Sequence, residues 1–253
     1  AVTPTHAEAR VLEVLERAGV FLAGGVMVGS HAFSVYGNML GVCWSRQAYM
    51  TQDLDIASDH HVEIAVTDQT ANLGSALMES GMGFIEVPAL DRKHPSTSFS
   101  IQGQEFEVDL LTPMKGPERY TQVRLPNLNS FASPVRFLDY LLVDAQPAAV
   151  VAKAGISVNV PDPARFALHK LVVAERRPVS QHLKSLKDRQ QAHDLLAVLL
   201  EDRPGDILLA MDGVRGMPDK FQKQLLAGAN GISGAIGKKI LDVAKEQGIR
   251  DPA

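Results

Sequence analysis

The chain has 253 residues, 45% of them apolar and 21% charged, with a formal net charge of −4, a balance typical of a soluble globular protein of one large or two modest domains. An acidic total excludes a uniformly basic nucleic-acid coat but leaves room for a local basic face, and no apolar run reaches the roughly 20 residues of a membrane-spanning helix. The single cysteine, Cys43, excludes an internal disulfide and points to a reducing, cytoplasmic setting.

The first residue is Ala1 rather than Met, and no basic-then-apolar leader follows it, so the sequence reads as trimmed or as part of a longer chain. Residues 5–18 predict a helix: Thr5 suits its cap, and Val11, Leu12, Val14 and Leu15 recur at helical spacing. Residues 21–28 are apolar and small, and predict a buried strand or a turn leading into one. A helix is expected over 31–40, opened by Ser30 and stopped near Gly37 or Gly41. Residues 38–50 show no period and read as a loop, and 51–57 read as a strand. A helix over 68–79 should stop at Gly81 and Gly83, followed by a short strand at 84–87.

Residues 96–101 and 105–111 flank Gln102-Gly103-Gln104, a hairpin signal. Within the second run Phe106, Val108 and Leu110 alternate with Glu105, Glu107 and Asp109, so Asp109 shares a strand face with Glu107. After Pro113 comes an irregular, proline-bearing stretch expected to hold a few more strands. Asp162-Pro163 then opens a helix, with Asp as cap and Pro at the first helical position. That helix ends by Pro178, a second covers about 180–200, and two or three shorter ones follow. The expected fold class is α+β: a mixed sheet flanked by helices over 1–160, then a helical domain over 161–253.

The chemistry is carried by charge on a core strand. Asp53 and Asp55 stand at i and i+2 in Thr51-Gln52-Asp53-Leu54-Asp55-Ile56, which puts both on one face with Leu54 and Ile56 on the other. Two carboxylates so placed repel each other unless cations lie between them. Hard ions such as Mg²⁺ accept oxygen ligands and keep positions open for phosphate. Asp109 stands on a later apolar strand. If that strand pairs beside 51–57, three carboxylates converge, enough for two Mg²⁺ ions. Upstream, Gly29-Ser30 follows Val26-Met27-Val28; a glycine at a strand-to-helix turn lets phosphate approach backbone N–H groups.

The order Gly29-Ser30-His31-Ala32, helix, Asp53-Leu54-Asp55, then Val108-Asp109 resembles the nucleotidyltransferase superfamily, which includes polymerase β-like, antibiotic-modifying and toxin-type enzymes. GSHAFSVYG followed by TQDLDIA looks most like a bacterial branch of it. The match covers about residues 20–112, with 38–50 as an insertion and Gly24-Gly25 as an alternative glycine motif. The resemblance implies that Asp53 and Asp55 bind the Mg²⁺ carrying an NTP such as ATP. It implies that Asp109 binds a second ion or acts as base, and that Gly29 and Ser30 hold phosphate. Arg46, in the insertion, is a further phosphate candidate.

The stretch RFALHKLVVAERRPVSQHLKSLKDRQQAHDLL, residues 165–196, is locally basic. It resembles the helical segment that follows the catalytic domain in toxin-type relatives. By that likeness Lys170 contacts the triphosphate, and Asp188 holds a basic partner or orients the site. The alternative is a solvated basic face packed through Leu168, Leu171, Val172, Leu183 and Leu186. His31 and the aromatic pair Trp44 and Tyr49 read as packing, and His60-His61 as exposed loop.

The expected activity is Mg-dependent transfer of a nucleoside monophosphate to a hydroxyl acceptor, an RNA end such as that of tRNA or a protein. Two alternatives stand beside it. One is an enzyme acting on a small hydroxylated molecule, with Glu105, Glu107 and Asp139 as sources of an acidic pocket. The other is a non-catalytic nucleotide- or partner-binding module of the same fold.

Overall fold

The computed structural model describes residues 2–45, 51–59, 70–89, 91, 93–118, 121–152 and 154–249. The chain divides into two compact units, Ala1–Pro161 and Asp162–Ala253. It is mixed α+β, with the sheets in the first unit and helices throughout the second. No helix among the described residues is long and apolar enough to cross a membrane.

The first unit opens with α1, His6–Arg17, held by a capping box: the Glu8 amide donates to Thr5 Oγ1, and the Thr5 amide donates to Glu8 Oε2 at 2.6 Å. Its Val11, Leu12 and Leu15 are buried. The apolar run that follows forms mostly turns, and only β1, Val26–Met27, is strand. Gly24-Gly25 explains the shortening. The Gly25 amide donates to the Val20 carbonyl at 2.9 Å, and a Cβ on Gly25 would sit 2.8 Å from that same oxygen. This glycine pair closes a turn onto Val20.

Helix α2 spans Gly29–Leu40 and ends at Gly41. It begins two residues before the expected start. Its cap position is Val28, which makes no side-chain bond, so Ser30 lies inside the first turn and does not cap the helix. The next elements are β2 (Asp53–Ala57), α3 (Leu73–Glu79), β3 (Phe84–Glu86), β4 (Ser98–Ile101) and β5 (Glu107–Met114). α3 is shorter than predicted because Asn72 caps it, accepting from the Ser75 amide at 3.1 Å. The proline-bearing stretch supplies β6 (Val123–Leu125), β7 (Ser130–Arg136), a short α4 (Leu138–Leu142), β8 (Gln146–Val150) and β9 (Ile156–Val160).

The main sheet runs β1-β2-β5-β4-β3, with β7 also pairing β5, and β6 pairing β7; β8 and β9 form a separate hairpin. β2 and β5 are parallel, whereas β4 and β5 form the expected antiparallel hairpin.

In the second unit α5, Pro163–Arg176, starts as its sequence predicts: Asp162 accepts from the Arg165 amide at 2.9 Å, and Pro163 occupies the first turn. Helices α6 (His182–Asp202), α7 (Pro204–Arg215), α8 (Asp219–Asn230) and α9 (Ala235–Glu246) complete it. Phe166, Leu168, Leu171, Leu195, Leu196, Met211 and Phe221 are among its core side chains.

Candidate active site

The parallel pairing of β2 with β5 has one register: Asp53 beside Glu107, Leu54 beside Val108, Asp55 beside Asp109, Ile56 beside Leu110. Leu54, Ile56, Val108 and Leu110 are at most 1% exposed. Strand alternation therefore sends all four acids to the other face, where each is half-buried. Neighbouring parallel strands lie about 4.8 Å apart and residues i and i+2 about 6.6 Å apart, so the four carboxylates form a two-by-two array.

The three acids expected from the sequence thus share one patch. Glu107 makes a fourth, and sequence reasoning gave it only to a separate acceptor pocket. The available signal was its place two residues before Asp109, the same spacing that joins Asp53 to Asp55. Glu105 is exposed ahead of β5 and Asp139 lies on α4, so neither belongs to this register.

The array is electrostatically loaded. Burial, then the carboxylates of Asp109 and Asp53, push the Glu107 carboxyl above its ordinary value, while a Ser98 hydrogen bond pulls the other way. Ser98 is the β4 partner of Asp109, and its hydroxyl also donates to Asp109 Oδ1.

Gly29 meets the array directly. Its φ is +66°, and a Cβ at this position would collide with Asp55 Oδ2. The Val28 amide donates to the Asp55 carbonyl at 3.0 Å. The first turn of α2 is thereby docked on Asp55, with Gly29 and Ser30 at the helix end where N–H groups and dipole favour anions. A phosphate placed there would face Asp55, and only a cation between them reconciles the two. The donor set is all hard oxygen, which suits Mg²⁺. Among the described residues, no three His, Cys, Asp or Glu side chains are grouped as ligands of one ion.

Lys170 belongs to the second unit. Its Nζ donates to Asp188 Oδ1 at 2.6 Å and lies 5.3 Å from the centre of the Phe166 ring. Arg177 Nε donates to the other oxygen, Oδ2, at 2.5 Å, and its Nη1 reaches Gln181 at 3.0 Å. Asp188 is 2% exposed. Burial pushes its carboxyl up, but Lys170 and Arg177 outweigh that and hold it below the usual carboxylate range. The neighbouring His169 is buried too; burial first, and then the Lys170 charge, lower its pKa to about 3, so it is neutral.

The alternative of a solvated face needs correcting. Leu168, Leu171 and Val172 are core, but Leu183 is 80% and Leu186 46% exposed. The face of α6 turned inward carries Ser185 and Asp188 instead, with Ser185 Oγ donating to the Ala174 carbonyl at 2.9 Å. The basic charge is partly paired as well, since Arg189 Nη2 meets Glu175 at 2.6 Å.

Arg46, Tyr49 and His60-His61 lie outside the described residues. Trp44 packs: it stacks on Phe33 with ring centroids 4.8 Å apart. His31 is buried in the first turn of α2.

No curated protein and no solved structure matches the chain. A family model described as nucleotidyltransferase matches residues 6–214, a span that takes in the first turn of α2, the four acids and Lys170. With that match over most of its length, the chain belongs to the nucleotidyltransferase family.

Proposed function

We propose that the protein is a Mg-dependent nucleotidyltransferase that moves a nucleoside monophosphate from an NTP to a hydroxyl on an RNA end or a protein. One observation carries the reading: the β2–β5 register sets Asp55 beside Asp109 and Asp53 beside Glu107, next to the glycine that opens α2. Family membership implies the NTP.

In this reading Asp53 and Asp55 hold the ion, and Asp109 completes the set. Bound Mg²⁺ would neutralise the triphosphate and polarise its α-phosphorus. The chain's own groups do the rest. The amides around Gly29 and the Ser30 hydroxyl hold phosphate oxygens at the helix end. Ser98, by donating to Asp109 Oδ1, orients that carboxylate; where Asp109 does not serve as an ion ligand, it takes the proton of the acceptor hydroxyl. The acceptor oxygen bonds to the α-phosphorus, the bond to the bridging oxygen breaks, and pyrophosphate leaves. Chemistry of this kind is mostly positioning and charge neutralisation.

The charge of the second unit supports a polyanionic or large acceptor. It carries 15 Lys and Arg against 12 Asp and Glu, while the first unit carries 10 against 17. The small-molecule alternative loses one of its pocket acids, because Glu107 is part of the array.

The test is to incubate the chain with Mg²⁺ and each α-labelled NTP, together with total RNA, with lysate protein or alone. Label is expected on one class of acceptor and is expected to vanish in Asp53→Asn/Asp55→Asn. Labelling that persists in this double variant would show that the site is elsewhere.

A further inference from the structure

The register that builds the carboxylate array continues past it. β5 pairs β4 and β4 pairs β3, so the acids extend into rows that cross the sheet. One row is Asp53, Glu107, Ser100 and Ile85; the other begins Asp55, Asp109 and Ser98. Residues directly opposite each other on neighbouring strands share a face. The Ser98 hydroxyl, donating to Asp109 Oδ1, puts the serines on the acid side. The residues between them agree: Phe84, Phe99 and Ile101 are at most 4% exposed and take the core face with Val108 and Leu54.

On the acid face Ser98 and Ser100 are half-buried, and Ile85 is 48% exposed. Strands lie about 4.8 Å apart, so the row from Asp53 to Ile85 changes from carboxylate to hydroxyl to alkyl group within about 15 Å.

The direction of this change matters for the transfer step proposed above. Gly29 meets the array at Asp55, on β2. Phosphates held at the start of α2 therefore approach from the β2 side. In phosphoryl transfer the attacking and leaving oxygens lie roughly in line through the phosphorus. With pyrophosphate leaving toward Gly29, the acceptor oxygen arrives from the opposite side, past Asp109 and over β4. The body of the acceptor then rests on the strands beyond, where Ser100 and Ile85 stand.

The chemistry of the row selects between acceptors. Ile85 gains by burial against an apolar group, and the Ser100 hydroxyl can bond a peptide amide or carbonyl. A sugar–phosphate chain laid along the same row would bring its own phosphates beside the acids, like charge on like. We infer that Ser100 and Ile85 contact the acceptor and set its specificity, and that the acceptor is a polypeptide with an apolar side chain near the hydroxyl that is modified. The inference rests on the transferase reading and names its acceptor.

The test uses the full chain, Mg²⁺, an α-labelled NTP, and two separate acceptor preparations from one lysate: protein freed of nucleic acid by nuclease, and total RNA. Label is expected in the protein. Ile85→Asn should raise the protein concentration needed for half-maximal labelling about tenfold or more, and Ser100→Ala about threefold or more. Both should leave the half-saturating NTP concentration, and NTP-dependent Mn²⁺ uptake, within about twofold of the unaltered chain, a split that general damage to the fold does not produce. Ile85→Val should keep both concentrations. Should Ser100→Ala fail to fold, Ile85→Asn, at an exposed position, decides the matter. Label confined to RNA, protein saturation unchanged in the variants, or an equal shift in NTP and protein saturation would each overturn this inference and leave the transferase reading standing. No label in either preparation would remove the transferase reading and this inference with it.

Discussion

Two carboxylate settings in this chain differ in how their charge is balanced. In the second unit Asp188 is almost fully buried, and each oxygen has a cation on it: Lys170 on one, Arg177 on the other. Its carboxyl is held low despite burial. In the first unit Asp53, Asp55, Glu107 and Asp109 face one another across two parallel strands, and Glu107 is pushed up by burial and by its neighbours. A balanced set is a structural device: it holds two helices and has little reason to recruit an ion. A like-charged set raises the energy of the folded chain unless a proton or a counter-ion offsets it. That contrast separates a fold-holding acid from a site-forming one.

The largest expected effects come from breaking each side of the comparison. Asp53→Asn/Asp55→Asn should lower nucleotidyl transfer by about a thousandfold or more, measured as label incorporated, while the thermal midpoint in the absence of Mg²⁺ holds or rises. Asp188→Ala should do the reverse. It leaves Lys170 and Arg177 without their partner in the core, at a cost of about 3–5 kcal/mol, seen as an early denaturant midpoint. If Asp188→Ala costs nothing in stability, the pair is not structural and the contrast fails.

Gly29→Ala tests the link between helix and array. The left-handed backbone costs about 1–3 kcal/mol for a residue with a side chain, and the methyl group displaces Asp55. Both stability and transfer should fall. Unchanged transfer at full stability would mean that Asp55 does not need its contact with Gly29.

The smallest effect is a pH dependence of opposite sign in the two settings. Asp188 is held low in the folded chain, so its contribution is present above the ordinary carboxylate range and is lost as pH falls through its folded value. Glu107 is raised, so folding weakens as pH climbs from its ordinary value through the raised one. Glu107→Gln should therefore raise the thermal midpoint modestly at neutral pH and leave it unchanged in acid. A drop at neutral pH would show that Glu107 is stabilised where it stands.

Much of this was legible where the cause is local. Thr5 as a cap, Asp162 with Pro163, and the alternation around Asp53 and Asp109 each act within a few residues, and each reads directly from the sequence. The register that pairs Asp53 with Glu107 joins distant segments in parallel, and no short pattern specifies it; Glu107 was therefore assigned to a separate acceptor pocket. Ser30 was misread as a cap because serine favours that position, whereas the helix starts at Gly29, two residues before its expected start, on a glycine that must let Asp55 approach. Leu183 and Leu186 were misread as core because their helical spacing is right but their phase is not. Asp188 and Ser185 take the inward face, a choice made by the buried partners on α5.

The central claim is that the four-carboxylate array is a cation site serving a nucleotide. Mn²⁺ binding, followed by loss of its free electron-spin signal with and without an NTP present, tests it most directly. The account predicts saturable Mn²⁺ uptake that tightens when the NTP is added and disappears in Asp53→Asn/Asp55→Asn, while Asp188→Asn retains it in the folded fraction. Uptake that is indifferent to the NTP, or that is equal in the double variant and the unaltered chain, would contradict it.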